Sequence, residues 1–390
     1  NPGVTQYDRH IQYQTYDITD QITAGDNAVG IVLASGWWSD AQTYVLGNYN
    51  YYGDRESFLG KIVITYTDGS EKIYVTDTKN WKYCGNGPWT YAGFFHGEHY
   101  DAVCGEHFRD FSEVSFQSDS NWTKPEEIAV IPIYEDEVQS MGKVFHWPAV
   151  NCSEPELIGQ IGSGVGVVGE LTAVSVNEVQ PGVYIYDMGV NVAGIPKVRL
   201  YGNRAEQAQL RYAEVLCPDL PEFAGRAGTL MVENLRDADC TDRFVFAGNP
   251  EGELYMPQFT FHGYRYIEIS GVKHPSDLSE IKLLQLSSVS NLTGNMQVSN
   301  PLVNRFLANV MRSMRSNFIS IPTDCPQRNE RMGWNGDTSI FARSATFYAD
   351  VRLFYENWLM DARDLQEQNG RYTDIAPIGG GFGGYTYDSA

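Results

Sequence analysis

The chain has 390 residues and carries 28 Lys and Arg against 49 Asp and Glu, a formal charge of −21. So acidic a surface repels phosphate backbones and anionic membranes, which argues against nucleic acid as a partner, and no run of about 18 apolar residues offers a membrane span. With 42% hydrophobic and 13% aromatic residues it is expected to fold, as two or three domains.

Residues 1 to about 150 read as β structure. Alternation in Ile62-Val63-Ile64-Thr65-Tyr66, a turn at Thr67-Asp68-Gly69-Ser70 and the return Lys72-Ile73-Tyr74-Val75 predict a hairpin. Strands of this length between turn signals suggest a sandwich or jelly roll. A second β-rich block is expected from about 165 to 285, with Thr241–Phe246 and Pro257–Tyr266 its clearest strands. Within it Asp242, His262 and Arg265 read as polar residues satisfying the sheet rather than as a site.

Beyond 290 the period changes to that of a helix. Leu302, Phe306, Val310 and Met314 mark one, stopped at Ser320-Ile321-Pro322. A second begins after Asp337, and a third runs from Val351 to about Gln366. Gly379 to Gly384 is expected to be a mobile loop, with no following basic residue to make it a phosphate cradle. The six cysteines (84, 104, 152, 217, 240 and 325) show no Cys-x-x-Cys spacing, so zinc is not indicated. Cys84 and Cys104 are read as free thiols in preference to a bridge.

Between the first two helices lies the densest chemistry. From Asp324 to Asp337, fourteen positions hold Asp324, Glu330 and Asp337, Arg328 and Arg331, and Trp334. Pro326, Gly333 and Gly336 interrupt any continuous helix, so a shaped loop is predicted. Carboxylates beside an aromatic face suit sugar cleavage, which needs a proton for the leaving oxygen and an apolar wall for a pyranose. Each residue also has a plainer reading. Glu330 could be salt-bridged to an arginine, whose charge would lower its pKa while Asp324 and Asp337 raise it. Asp337 is placed to cap the helix that follows, Trp334 to plug the core, and Arg328 to hold Asp324.

The segment resembles, almost letter for letter, the signature Asp-Cys-Pro-x-Arg-x-Glu-Arg-x-Gly-Trp-x-Gly-Asp of bacterial α-L-rhamnosidases of glycoside hydrolase family 78. Looser similarity runs through Gln12–Thr19, Gly25–Gly30, Gly36-Trp37-Trp38 and Phe95–Ala102. The resemblance implies a multidomain β + α protein. Residues 1–150 would be an amino-terminal β-sandwich or jelly roll lacking its front strands, and 165–285 a second β-sandwich. Residues 290–390 would be the first hairpins of an (α/α)6 catalytic barrel.

The activity implied is hydrolysis of terminal α-L-rhamnosides with inversion, acting on rhamnose-bearing glycans or glycosides. Glu330 would then be the general acid, and Asp324, Arg328, Trp334 and Asp337 would bind the sugar, with Trp334 as a wall for the ring. Asp374 and Asp388 match no general base of the family, so that residue is expected on a later helix beyond Ala390. Tyr387 and Ser389 stand where many members carry Trp and Asp, which bears on substrate preference. No cofactor is required by this chemistry. Some members hold calcium in the amino-terminal sandwich, where Glu98 and Asp101 offer oxygen donors. A periplasmic or secreted location is preferred to a cytoplasmic one, and oligomeric state is left open. Two other functions compatible with the composition are non-catalytic carbohydrate binding by the β domains and cleavage of a different sugar by an (α/α)6 enzyme.

Overall fold

A computed structural model describes residues 3–41, 50–128, 136–140, 143–147, 151–152 and 154–378. The expectations for Gly379–Gly384, Tyr387, Asp388 and Ser389 lie outside the described residues. The molecule is mostly β sheet with helices toward the carboxyl end.

The predicted hairpin forms: Lys61–Thr65 pairs antiparallel with Glu71–Val75, with Lys61 opposite Val75 and Thr65 opposite Glu71. Gly69 supplies the turn at φ +83°, and Asp68 Oδ1 accepts from the Ser70 N–H at 2.9 Å and hydroxyl at 2.7 Å. All six cysteines are free thiols.

A ten-stranded sheet dominates the structure. Its spine is the 18-residue strand Val183–Leu200. An irregularity between Asp187 and Val192 divides this strand. Its first half pairs with Ser175–Gln180, its second with Ile281–Ser287 and Glu253–Tyr255, and His262–Ser270 spans both. Gln207–Ala213 and Thr241–Val245 extend the sheet beyond His262–Ser270. The hairpin Trp89–Gly93/Gly97–Asp101 then adds on in parallel through Gly97–Asp101, with Arg243 opposite His99. One sheet therefore draws strands from both sides of the 150–165 interval.

Asp242, His262 and Tyr212 form a polar node inside this sheet, each essentially inaccessible. Asp242 Oδ1 accepts from the Glu98 N–H at 2.9 Å and pairs with His262 Nε2 at 3.0 Å, while Oδ2 accepts from the Tyr212 hydroxyl at 2.5 Å. The node is structural, as the sequence suggested. Asp242→Ala should cost about 3–5 kcal/mol by orphaning buried partners. A lower urea midpoint at unchanged slope is the check.

After two short α-helices, Gly36–Ser39 and Ala102–Gly105, the first of the three predicted helices is Pro301–Asn317, with Pro301 in its opening turn and Asn300 Oδ1 accepting from the Leu302 N–H at 2.9 Å. Its periodicity predicts a packed stripe, yet Leu302 and Phe306 are 74% and 63% exposed. Its last turns are anchored by Met314 packed with Phe318 and Phe354 and by Ser316 Oγ accepting from the Ala193 N–H at 3.1 Å, and its first turn by Asn304, which exchanges two 2.8 Å hydrogen bonds with the Val298 backbone. The second helix, Asn335–Ala345, begins before Asp337. Trp334 is at its cap position, so Asp337 lies in the first turn and is not the N-cap. There a carboxylate still favours the helix through its dipole. The third helix, Arg352–Asp364, is clasped by the amino-terminal segment: Asp361 Oδ1 accepts from the Gln6 N–H at 2.7 Å, and His10 Nδ1 meets Asp364 Oδ2 at 2.8 Å.

Candidate active site

The loop after the first helix is closed at its base by a bridge between Thr323 and Gly333, and the Asp324 N–H donates to the Met332 carbonyl at 3.2 Å. Gly333 has no room for a side chain, since a Cβ there would lie 2.5 Å from the Ala376 carbonyl oxygen. Opposite, the loop rests on the sheet at Gly263, where a Cβ would come within 2.8 Å of Gln327 Cβ and 3.0 Å of its Cα. Gly263→Ala should push the loop off the sheet at about 1–3 kcal/mol. Calorimetric unfolding of the variant measures this, and a wild-type midpoint would mean the loop gives freely.

Arg331 is the anchor. It is fully buried at φ +53°. Its Nη1 donates to the Phe94 carbonyl at 2.5 Å and to the Phe261 carbonyl at 3.0 Å, and its guanidinium lies 4.7 Å from the Phe261 ring centre. Burial pulls its pKa down to about 10, so it remains a cation at neutral pH. The sequence reading set Arg331 beside Glu330 as a charge that lowers its pKa; the structure instead turns it into the sheet.

On the loop's other side Asp324, Cys325, Arg328 and Glu330 converge. Glu330 is 3% exposed. Arg328 Nη2 meets Glu330 Oε2 at 2.7 Å, and Arg236 Nη1 approaches the same oxygen at 3.6 Å. The Cys325 thiol donates to Asp324 Oδ2 at 2.7 Å and reaches Glu330 Oε2 at 3.4 Å. Burial, then hydrogen bonding to Glu330, pushes the Asp324 carboxyl up to about 7. Burial also drives the Cys325 thiol well up, so it stays protonated as a donor. The two carboxyl groups are thus placed to hold one proton between them near neutrality.

Of the predicted site residues, Asp324, Arg328 and Glu330 come together. Trp334 follows, half-buried, where the loop returns, its backbone bridged to Ile375. Asp337 is exposed, and its carboxylate makes no hydrogen bond or ion pair among the described residues. The plain reading of Glu330 as a salt-bridge partner is met by the Arg328 contact. Asp324, Cys325 and Glu330 place one ligand atom each within 4.8 Å of one another, and no other such group occurs among the described residues. With the Arg328 guanidinium 2.7 Å from both the thiol and Glu330, positive charge is already supplied there.

Glu98 and Asp101, the oxygen donors suggested for calcium, each turn one carboxylate oxygen to backbone N–H groups. Glu98 Oε2 accepts the Gln258 and Phe259 N–H groups at 2.8 and 3.0 Å, and Asp101 Oδ1 accepts those of Val103 and Cys104 at 2.8 and 3.1 Å. Sequence reasoning missed Arg236, which comes from the second β block at φ +58°, and Asp237, whose Oδ2 accepts from Asn329 Nδ2 at 3.3 Å. No motif surrounds either.

Three family models match in succession: the α-L-rhamnosidase N-terminal domain over residues 1–142, the bacterial α-L-rhamnosidase concanavalin-like domain over 177–288, and the bacterial α-L-rhamnosidase six-hairpin glycosidase domain over 291–389. An α-L-rhamnosidase of Streptomyces avermitilis is 33% identical over 387 residues, 98% of this chain and 34% of that protein. One from Formosa agariphila is 32% identical over 96% of this chain and 37% of its own length. The crystal structure of the Streptomyces avermitilis α-L-rhamnosidase complexed with L-rhamnose superposes with a TM-score of 0.82 at 30% identity, covering 98% of this chain and 34% of that one. The native Aspergillus terreus enzyme gives 0.79 at 29% identity, covering 96% and 40%. The chain thus spans about a third of the length of the curated relatives it matches.

Proposed function

Because the chain belongs to the bacterial α-L-rhamnosidase family, we propose that it forms part of a glycoside hydrolase that releases terminal α-L-rhamnose with inversion. The carrying observation is the buried Asp324–Glu330 carboxyl pair, with Asp324 titrating at about 7. Glu330 delivers the proton to the glycosidic oxygen as the C1–O bond breaks. Asp324 holds the proton in place before transfer, and Arg328 fixes the Glu330 carboxyl through its 2.7 Å contact. Trp334 walls the ring and Asp337 contacts a hydroxyl, as the family motif implies. Water attacks the opposite face and loses its proton to a second carboxylate.

Inversion requires roughly 6.5–9.5 Å between the two carboxyls. Asp324 and Glu330 place oxygens within 4.8 Å of each other, so Asp324 is not that base. The base belongs to another part of the longer polypeptide, whose helical region this reading takes to be an (α/α)6 barrel. Residues 290–390 contribute its first hairpins, after β-sandwich regions at 1–150 and 165–285 that share one sheet through Gly97–Asp101. Matches to three consecutive domain models support that division. Among the described residues no helix is long and apolar enough to cross a membrane.

The test is proton NMR of p-nitrophenyl α-L-rhamnoside hydrolysis by the full polypeptide. β-L-rhamnose should appear first; α-L-rhamnose first would exclude inversion, and no release would exclude the activity. The acid must be protonated to act. The pair holds its proton below about 7 and loses it above, so kcat/KM should fall as pH rises through about 7. Asp324→Asn removes the neighbouring like charge and should move that limb to lower pH. A limb that stays in place would show that the two groups do not share a proton.

A further inference from the structure

A cleft of about 220 Å³ opens beside Asp324. Its polar lining is Asn191, Glu214, Ser313, Ser316, Asn317, Asp324 and Gln327, with no Lys, Arg or His among the lining residues. Two buried acceptors here, Asp324 Oδ1 and Asn317 Oδ1, have no hydrogen-bond partner among the described residues. Buried acceptors are nearly always paired, so each calls for a donor beyond the described residues. Glu214 adds a carboxylate held by neutral amides: Oε1 accepts from Asn191 Nδ2 at 2.7 Å and Oε2 from Asn234 Nδ2 at 3.2 Å. Its charge has no cationic partner among the lining residues, so an incoming anion would face an uncompensated carboxylate at Glu214. Asp324 belongs both to this wall and to the Glu330 cluster, so the two adjoin at its carboxyl group.

We propose that this cleft is a subsite for a neutral polyhydroxylated unit, the sugar next to the rhamnosyl residue, and that Glu214 makes it reject a uronic acid there. Hydroxyl groups donate to Asn317, Asp324 and Glu214, and the amides of Asn191 and Gln327 can donate in return. The proposal rests on the rhamnosidase reading above for the identity of the neighbouring unit.

The experiment compares kcat/KM of the full polypeptide on α-L-rhamnosyl glucose and on the matching α-L-rhamnosyl glucuronic acid. The neutral substrate should be preferred by at least about tenfold, and Glu214→Gln should bring the ratio toward unity. Asn317→Ala, which leaves the loop carboxyls in place, should lower kcat/KM for the neutral disaccharide relative to p-nitrophenyl rhamnoside. An equal ratio in wild type and Glu214→Gln, with Asn317→Ala also neutral, overturns the proposal. If no rhamnoside is hydrolysed, the rhamnosidase reading fails separately. Saturation-transfer NMR with glucose and with glucuronate then decides the subsite. Glucose binding that weakens in Asn317→Ala upholds it, and equal binding of both sugars to wild type and variants overturns it.

Discussion

Glu330→Gln in the full polypeptide should lower turnover of p-nitrophenyl α-L-rhamnoside by about 10²–10⁴-fold, the usual worth of a general acid. The amide matches the carboxyl in shape and keeps an oxygen for Arg328 Nη2, now 2.7 Å from Glu330 Oε2. It cannot release a proton to the glycosidic oxygen. KM should change little, because the lost interaction belongs to the transition state. The loss should also be smaller for a leaving group of low pKa, such as a dinitrophenolate, which departs with little need of a proton. Near-normal turnover on ordinary substrates would remove Glu330 from the acid role. A loss equal for all leaving groups would assign it to binding or positioning.

Arg331→Met is expected to have the largest effect on stability. The side chain supplies hydrogen bonds to the Phe94 and Phe261 carbonyls and crosses the faces of Phe95 and Phe261 at 5.2 and 4.7 Å. Methionine retains much of the packing and relieves the buried charge, yet it leaves both carbonyls without this donor. At about 1–3 kcal/mol for each, the loss is about 2–6 kcal/mol in all. Activity should fall as well, since Glu330 is the preceding residue and Arg331 is the loop's tie to the sheet. A denaturation midpoint equal to wild type would mean the carbonyls find other donors. Arg331→Lys separates charge from geometry, because a single ammonium cannot reproduce the planar fork.

Local patterns proved readable where neighbours in sequence are also neighbours in space. The hairpin Lys61–Thr65/Glu71–Val75 follows from alternation and an Asp-Gly turn, and the three helices from their period and from Pro and Gly breaks. Part of the candidate site was legible for the same reason: Asp324, Arg328 and Glu330 fall within seven consecutive positions of one loop. The start of the second helix was misjudged because Asp337 has the chemistry of a cap, whereas the bridge from Trp334 to Ile375 sets where that helix begins. Periodicity identified the apolar residues of Pro301–Asn317 but not which of them are covered, since coverage depends on what packs against the helix.

The sequence by itself determined the element types, the acidic balance and the motif that places the chain in its family, all carried by composition and short spacing. Tertiary structure alone decided that the hairpin Trp89–Gly93/Gly97–Asp101 joins the sheet of the second β block through its strand Gly97–Asp101. It also decided that Arg331 faces that sheet while Arg328 faces Glu330, and that Arg236 arrives from a distant turn. Side-chain direction and long-range pairing depend on backbone dihedrals and on which surfaces exclude water from each other. Burial likewise lifts the Asp324 carboxyl to about 7, because desolvation is a property of the assembled fold rather than of the residue.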